Sequence, residues 1–456
     1  MRNISIFGTS SDAGKSTLTF VIAKLLQDRG ISTVAFKAQN VSNNSNVADD
    51  GTEIAISTHF QNSVLGVKTS HHVNPILLKS GSKNHASLIV SGKEVGEKDV
   101  RRYYEDIESL KPIVKESFLH LDKEFDCVVA EGAGGCVELN LLEQDLSNTF
   151  IAQEFDTKII LVSDIEKGGV FASIYGTIAL LNPKFRENLI GVIINKFRGD
   201  RTLFDDGVKI IEEYFEVPVL GVLPYLPLNI GFEDSASLLN YTKTPNASIK
   251  VGVIKLPHIS NFNDFEPLII DDELQVDFIT SNIFEYDYII IPGSKRVVSD
   301  LSWMKKNGLY KELKKYKKQL IGICGGYEMM FEKIVDKNMV ESDKKTTHGL
   351  GFIKSNLKFK KKKIVKKTKF KLHGKKLKGY EIHYGQSKKY PVYYEKGNIF
   401  GTFVHGIFDN DKFRDYIFKN GYNGYSFKKR KKKILDNFID NMEKEINMDR
   451  IIKCIS

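Results

Sequence analysis

Residues 4–17, ISIFGTSSDAGKST, are the stretch of this 456-residue chain that decides the fold. Its apolar start predicts a buried strand that ends at Gly8. Gly14-Lys15-Ser16 then opens an amphipathic helix. Glycines let backbone N–H groups converge on phosphate oxygens, a lysine contacts the terminal phosphates, and a hydroxyl binds Mg²⁺. The stretch therefore predicts a strand, a phosphate loop and a helix, with ATP and Mg²⁺ as cofactors.

The spacing within this loop narrows the class of ATPase. Five residues separate Gly8 from Gly14, one more than in the strict phosphate-loop pattern. The longer form resembles the dethiobiotin-synthetase-like ATPases. Partitioning-type ATPases carry a signature lysine four residues before the glycine of Gly-Lys, and here that position is Ser10. The loop residues expected to bind the nucleotide are Gly8, Thr9, Asp12, Gly14, Lys15, Ser16 and Thr17.

Two more strand ends are predicted to contribute to the nucleotide site. Residues 127–130 are apolar and lead into Glu131 and a run of glycines, which places this carboxylate at the sheet edge where ligands bind. We expect Glu131 and Ser16 to hold Mg²⁺; a surface acid is the structural alternative for Glu131. Asn195 follows another apolar run, and we expect it to read the adenine base.

The alternation of apolar runs and amphipathic stretches predicts the fold class. Strands that are apolar throughout are buried on both faces, as parallel strands are. We therefore predict an α/β protein whose first domain, residues 1–238, is a doubly wound parallel sheet. A polar linker at 239–249 and a second α/β domain at 250–445 are expected to follow. The predicted strands are residues 4–7, 33–36, 127–130, 158–163, 189–194, 219–223, 250–256, 288–292, 320–324, 349–353, 379–384 and 399–405.

The second domain contains a predicted cysteine nucleophile. Cys324 lies among glycines in residues 322–326, directly after an apolar run, which is typical of a sharp strand-to-helix turn. Such a turn exposes the thiol, lowers its pKa and brings backbone N–H groups near for an oxyanion hole. His405 follows another predicted strand and is expected to be its base. A buried structural thiol is the alternative reading for Cys324 alone.

The formal charge of +10 is concentrated in two blocks. Residues 354–378 contain thirteen lysines and no acid, and residues 428–433 are all basic. Such blocks can bind nucleic acid or anionic membranes. The apolar residues interleaved with the first block favour a hairpin with solvated lysines. We expect no nucleic acid and no membrane as partners, and attraction of an anionic substrate stays open.

The composition also bears on location. The four cysteines form no CxxC pair and no disulfide-framework spacing. Apolar runs stay well short of the ~20 residues that span a bilayer. A predicted strand so close to the start leaves no room for a signal peptide. We therefore expect a cytoplasmic protein, and the sequence leaves its oligomeric state open.

The ordered motifs of this chain resemble those of the cobyric acid synthases, glutamine-dependent amidotransferases of cobalamin biosynthesis. No single motif is specific, whereas the ordered set is. The resemblance covers nearly the whole chain and is carried by residues 8–17, 36–40, 74–79, 131–134, 163–172, 195–200, 221–225, 233–235, 256–262, 292–295, 322–327, 379–383 and 401–406.

This resemblance implies a class I glutamine amidotransferase-like second domain and a two-part reaction. Cys324 attacks L-glutamine to form a glutamyl thioester and ammonia, and His405 transfers the proton. The first domain phosphorylates the b, d, e and g carboxylates of a corrinoid, adenosylcobyrinic acid a,c-diamide, and ammonia displaces the phosphate. Lys37 is an implied phosphate contact. The candidate substrate contacts are Asn40, Asn44, Asp50, Glu53 and Asp164.

The chain departs from the family's pattern in three places. Glu328 replaces a usual glutamine, and Ala38 replaces a frequent proline. The His-x-Glu acid of other class I amidotransferases is missing after His405. We expect Glu381 and His383 to be structural or to support the site indirectly.

Two alternatives to this function remain at the level of the sequence. A cobyrinic acid a,c-diamide synthase uses the same chemistry on two other carboxylates. A non-catalytic P-loop regulator with a decayed amidase domain is the alternative of a different class. The intact Lys15, Cys324 and His405 favour an enzyme.

Overall fold

A computed structural model describes residues 1–80, 85–231, 247–419 and 421–456. The chain forms two compact units. Unit 1 comprises Met1–Ser42, Ala48–Pro227 and Lys432–Ser456, and unit 2 comprises Asn43–Val47 and Leu228–Lys431. The motif at 233–235 and most of the linker expected at 239–249 lie outside the described residues.

The strands and helices are numbered in chain order. The strands are β1 (Ile4–Gly8), β2 (Thr33–Phe36), β3 (Gln39–Val41), β4 (Ser45–Val47), β5 (Glu53–Ala55), β6 (Ile76–Ser80), β7 (His85–Val90), β8 (Lys93–Asp99), β9 (Cys127–Glu131), β10 (Lys158–Asp164), β11 (Leu189–Phe197), β12 (Val219–Pro224), β13 (Ile249–Ile254), β14 (Leu274–Ile279), β15 (Tyr288–Ile291), β16 (Gln319–Ile323), β17 (Phe331–Val335), β18 (Thr346–His348), β19 (Ile353–Leu372), β20 (Lys375–Gln386), β21 (Tyr393–Lys396) and β22 (Ile399–Thr402). The helices are α1 (Lys15–Gln27), α2 (Ile56–Leu65), α3 (Val100–Glu105), α4 (Ile107–Glu124), α5 (Thr149–Phe155), α6 (Val170–Leu180), α7 (Pro183–Arg186), α8 (Asp205–Phe215), α9 (Glu266–Ile269), α10 (Val297–Lys306), α11 (Leu309–Lys315), α12 (Gly325–Met330), α13 (Asp411–Ile417), α14 (Phe427–Glu443) and α15 (Met448–Ile455). None of the described helices is both long and apolar enough to cross a membrane.

Unit 1 is built on a six-stranded parallel sheet. Its strand order is β12-β11-β10-β1-β9-β2. Successive residues such as Val128 and Val129 are both fully buried, so the sheet is covered on both faces. Phe118 of α4 packs in one apolar cluster with Phe36, and Ile174 of α6 packs in another with Phe7. The predicted doubly wound parallel domain is confirmed.

A second sheet of unit 1 was not predicted. It has four strands in the order β3-β6-β7-β8, with β3 and β6 parallel and the remaining pairs antiparallel. Its edge strand β3, Gln39–Val41, has only three residues and lacks an apolar pattern. Strands of this kind form because their neighbours supply hydrogen-bond partners, and the sequence carries little signal for them.

The C-terminal helices belong partly to unit 1. The rings of Phe438 in α14 and Phe20 in α1 lie 6.3 Å apart. The backbone N–H of Arg2 donates to Ile455 O at 2.8 Å, at the end of α15. The sequence-based expectation assigned residues up to 445 to the second domain. Apolar packing places residues from Lys432 onward in unit 1 instead.

Unit 2 is built on a second α/β sheet of six strands. The order is β14-β13-β15-β16-β22-β21, and all neighbours are parallel except the edge strand β21. Ile323 pairs with Thr402, so β16 and β22 end side by side. Residues that directly follow these two strands therefore meet at one sheet edge.

The lysine-rich segment forms the predicted hairpin. Strands β19 and β20 pair antiparallel up to the Leu372–Lys375 turn, with a bulge between Phe359 and Ile364. The strand expected at residues 349–353 is wrong, because β18 ends at His348 and β19 begins at Ile353. A Cβ at Gly349 would lie 1.9 Å from Phe331 O, so the backbone crosses there too closely for a longer side chain.

Candidate functional site

The phosphate loop of unit 1 requires glycine where α1 begins. Gly14 has φ 104°, in the left-handed region, and a Cβ there would lie 2.0 Å from the Asn195 side chain. Glycine alone tolerates both conditions. Thr17 is half-buried in the first turn of the helix, and Asp12 also has a positive φ of 58°. The loop is thus shaped by its own glycines and by a residue at the end of β11.

Lys15 is buried and its ammonium lies over the loop. Lys15 Nζ donates to Ser10 O at 2.9 Å and to Gly134 O at 2.7 Å. These bonds hold the cation between the loop that starts at Gly8 and the glycine run after β9. A phosphate contact of the kind expected for this lysine suits that position.

Glu131 is the centre of a buried polar cluster in unit 1. Its carboxylate accepts hydrogen bonds from Ser16 Oγ at 2.7 Å, Lys37 Nζ at 2.6 Å and Gln61 Nε2 at 2.6 Å. A hydroxyl and a carboxylate side by side are oxygen ligands of the type Mg²⁺ prefers, so the donor set fits this ion. Lys37 and Glu131 form an ion pair with both side chains buried. Gln61 was missed by the sequence analysis, because a glutamine inside a helix carries no motif.

Asn195 lies against the phosphate loop, and Asp164 is linked to the loop through Lys196. Asn195 Nδ2 donates to Ala13 O at 2.9 Å, and Lys196 Nζ donates to Asp12 O at 2.6 Å and to Asp164 at 2.9 Å. Both strand ends therefore support the loop from the side. The adenine contact expected of Asn195 stays a prediction. Thr9 reaches the same region, with its hydroxyl 3.1 Å from Ser163 Oγ.

The candidate substrate residues are divided between the two units. Asn40 donates to Ser57 Oγ at 2.9 Å, and Glu53 is ion-paired with Lys79 at 2.5 Å. Asp50 accepts from the backbone N–H groups of Thr52 and His71, each at 3.0 Å. Asn44 belongs to unit 2, where its side chain accepts from Asn261 N at 2.7 Å. These contacts arrange the side chains, and their role toward a substrate stays a prediction.

Cys324 lies at a strained turn between β16 and α12. Its φ of 47° and ψ of −108° are unusual for a residue with a side chain, and such strain is concentrated at functional sites. A Cβ at Gly325 would lie 2.7 Å from Ser294 N, and one at Gly326 would lie 2.0 Å from Ile291 O. The two glycines therefore allow the turn to approach the loop that follows β15. The predicted elbow is present.

The thiol of Cys324 is buried and in contact with the backbone. Cys324 Sγ donates to Ile382 O at 3.6 Å. Burial raises the pKa of the Cys324 thiol well above its ordinary value, and the carboxylates of Glu328 and Asp264 add to the effect. The N–H of Gly325 acts in the opposite direction and is outweighed. The expectation of an exposed thiol with a lowered pKa is therefore wrong, because the fold buries Cys324, and the thiol needs a base.

His405 is held by an aspartate that the sequence analysis did not identify. His405 Nδ1 lies 2.7 Å from Asp264 Oδ2, and Gly406 N donates to Asp264 Oδ1 at 2.7 Å. Both side chains are buried, and the ring of Tyr380 stacks on His405 at 5.3 Å. The His405–Asp264 contact matches that of a base and the group that orients it, and Cys324 directly follows the strand that pairs with β22. Asp264 lies two residues beyond the motif at 256–262, which was the nearest signal.

Glu328, Glu381 and His383 each have hydrogen-bond partners within unit 2. Glu328 Oε1 accepts from Gly385 N at 3.0 Å, and burial raises the pKa of the Glu328 carboxyl well above its usual range. Glu381 Oε2 lies 3.0 Å from His383 Nε2, and its other oxygen accepts from Thr368. The carboxylate that contacts the imidazole of His405 is that of Asp264.

Both halves of the chain match known protein families. Residues 4–230 match the CobQ/CobB/MinD/ParA nucleotide binding domain, and residues 250–413 match the CobB/CobQ-like glutamine amidotransferase domain. A cobyric acid synthase of Acinetobacter baylyi is 54% identical over 100% of this chain and 99% of its own length. Cobyric acid synthases of Clostridium acetobutylicum and Listeria monocytogenes are 38% and 37% identical, over 91% and 99% of this chain and 89% and 96% of their own lengths.

Proposed function

The chain belongs to the cobyric acid synthase family, and we propose that it amidates corrinoid carboxylates with ammonia taken from glutamine. The observation that carries this proposal is the presence of two complete sets of reactive groups in one polypeptide. Unit 1 has Lys15 above a phosphate loop beside the Ser16–Glu131 pair, and unit 2 has Cys324 with His405 and Asp264. A regulator with a decayed amidase domain would not require both sets of residues.

The amidase half of the reaction uses the thiol of Cys324. His405 accepts the thiol proton as sulfur attacks the amide carbonyl of L-glutamine, and the same proton then goes to the departing ammonia. Water hydrolyses the glutamyl thioester to glutamate. Asp264 keeps the imidazole oriented through its 2.7 Å contact with Nδ1. The N–H of Gly325, which faces the sulfur, is a candidate donor to the oxyanion.

The synthetase half activates a carboxylate that ammonia cannot attack directly. A corrinoid carboxylate oxygen attacks the γ-phosphorus of ATP, and ADP leaves, so an acyl phosphate forms. Lys15 stabilises the charge of the transferred phosphoryl group. Mg²⁺, held by Ser16 and Glu131, would neutralise the phosphates when bound. Ammonia then displaces phosphate and leaves a carboxamide. Lys37 pairs with Glu131 and holds that carboxylate in place.

The preferred substrate is adenosylcobyrinic acid a,c-diamide, amidated at its b, d, e and g carboxylates. Relatives of nearly equal length that carry the name cobyric acid synthase support this choice over an a,c-diamide synthase. The test is a mass-resolved assay of the purified protein with ATP, Mg²⁺, L-glutamine and this corrinoid. Four successive exchanges of a hydroxyl for an amino group are expected. Glutamate release with an unchanged corrinoid would contradict the substrate and retain the amidase.

Asp264→Asn is expected to reduce glutamine hydrolysis by about 10²–10⁴-fold, because the imidazole loses the carboxylate that orients it and stabilises its charge. The loss should fall on kcat, with KM for glutamine nearly unchanged, since Asp264 is buried behind His405. Glutamate release under steady-state conditions measures both constants. Amidation with ammonium should stay at the wild-type rate.

A matched control for this substitution is Asp271→Asn. Asp271 is also a buried aspartate of unit 2, and it accepts from Tyr422 rather than from the catalytic histidine. The Asp271→Asn variant should retain glutaminase activity. Equal kcat values for Asp264→Asn and the wild type would remove Asp264 from the mechanism.

A further inference from the structure

A short segment from the first half of the chain belongs to the amidase unit. Asn43–Val47, which includes β4, is part of unit 2, whereas Ser42 before it and Ala48 after it belong to unit 1. Asn44 was expected among the substrate contacts, and its membership in unit 2 was not predicted. The segment is joined to unit 1 by covalent bonds at both ends, so a movement at either end reaches it.

The segment is bound to unit 2 by a reciprocal pair of hydrogen bonds. Asn44 Oδ1 accepts from Asn261 N at 2.7 Å, and Ser45 N donates to Asn261 Oδ1 at 3.0 Å. Asn44 and Asn261 are each only 4% exposed. Breaking these bonds would leave buried polar groups without partners, which costs free energy. The segment and Asn261 are therefore expected to move together.

Asn261 is directly linked to the residue that holds the catalytic base. It lies in the left-handed conformation, φ 52°, immediately before the 3₁₀ helix Phe262–Phe265. Its carbonyl accepts from Asp264 N at 3.1 Å, and Asp264 contacts His405 Nδ1. A shift of Asn261 therefore changes the position of the aspartate and the orientation of the imidazole.

A second contact connects the segment to the nucleophile. Val47 packs with Tyr380 and Ile382 in one small apolar cluster. The ring of Tyr380 stacks on His405, and Ile382 O accepts from Cys324 Sγ. The five-residue segment thus touches residues that contact each of the two catalytic side chains.

The stretch before the segment starts at the nucleotide site. Lys37 lies seven residues before Asn44 and is paired with Glu131, the carboxylate that also accepts from Ser16. Phosphate oxygens and a cation bound at this pair would change the charges around Lys37. A displacement of Lys37 would be transmitted to Asn44 through only the few residues between them.

We propose that Asn43–Val47 is a coupling segment that makes glutamine hydrolysis at Cys324 depend on the ligands bound by unit 1, with Asn261 as the positioning residue. The proposal rests on the function proposed above. The ligands favour one arrangement of the segment, and that arrangement holds Asp264 and His405 in the productive orientation. Ammonia is then released when an activated carboxylate is ready to receive it.

The test compares Asn261→Gly with Asn282→Gly in the full-length protein. Glycine accepts the left-handed backbone, so Asn261→Gly removes the side-chain acceptor of Ser45 N without new strain. Asn282 has a similar φ of 58°, also precedes a 3₁₀ helix of unit 2 and is exposed, which makes it a matched control. Glutamate release is measured without ligand, with ATP and Mg²⁺, and with ATP, Mg²⁺ and adenosylcobyrinic acid a,c-diamide.

The wild type and Asn282→Gly should show a rise in kcat/KM for glutamine of about 5–150-fold with the full set of ligands, the usual range of coupling between two sites. Asn261→Gly should lose that rise while its ammonium-dependent amidation stays within about twofold of the wild type. In the same variant, the number of glutamate molecules released per amide formed should increase. A wild type that does not respond, or an Asn261→Gly variant that responds like the wild type, overturns the proposal.

A second variant keeps the test decisive if Asn261→Gly does not fold. Val47→Ala removes only the methyl groups that pack on Tyr380 and Ile382, and it should also weaken the response. An unchanged response in folded Val47→Ala would overturn the proposal. Failure of the proposed function is seen separately, as an unchanged corrinoid mass when the wild type is supplied with ATP and ammonium.

Discussion

Cys324→Ala is expected to abolish glutamine-dependent amidation, a loss of at least about 10⁴-fold, because no other group at the turn can attack the amide carbonyl. The same variant should amidate the corrinoid normally when ammonium is supplied at high concentration. The reason is that the phosphate loop proposed to bind ATP lies in unit 1, while Cys324 and His405 lie in unit 2. Product formation from each nitrogen source, measured by mass, gives the comparison.

Cys454→Ala provides the control for this substitution. Cys454 is a partly exposed cysteine in α15, and its replacement should leave both activities unchanged. Loss of ammonium-dependent amidation in a folded Cys324→Ala variant would contradict the division of labour between the units. Retained use of glutamine would show that another residue is the nucleophile.

Lys15→Ala is expected to stop amidation from glutamine and from ammonium alike. The ammonium group of Lys15 lies over the phosphate loop, and its removal leaves the charge of the transferred phosphoryl group unpaired. A loss on the order of 10³–10⁵-fold is expected, as for other cations that act on a transferred phosphoryl group. Glutamine hydrolysis without ligands should persist, because Cys324 and His405 are untouched.

The matched control is Lys24→Ala on the same helix. Lys24 pairs with Asp28 near the other end of α1 and should be replaceable with little effect on amidation. Phosphate release and product mass are measured for both variants. Wild-type amidation by Lys15→Ala would show that the loop is not the ATP site.

The local turns of both units were predictable from the order of their residues. The phosphate loop and the cysteine turn depend on glycines whose conformation is set within a few residues, as φ 104° at Gly14 illustrates. The buried parallel strands were also predictable, since each is an apolar run of its own. The positions of Lys15 and Ser16 beside the loop were predictable from residues 4–17 as well.

Contacts between distant residues were not predictable in this way. Asp264 precedes His405 by 141 residues, and only folding brings the two side chains within 2.7 Å. Gln61 reaches Glu131 across 70 residues. The pKa of Cys324 depends on burial beneath the rest of unit 2, so the expectation drawn from its turn alone had the wrong sign.

The residue order was sufficient for the two α/β units, the phosphate loop, the cysteine turn and the family, because each rests on short-range backbone geometry or on motifs in sequence. The aspartate on His405, the membership of Asn43–Val47 in unit 2 and the return of the C-terminal helices to unit 1 became visible only in the folded chain. These features depend on packing and on hydrogen bonds between residues far apart in sequence. Such partners are selected by the whole fold rather than by their neighbours in the chain.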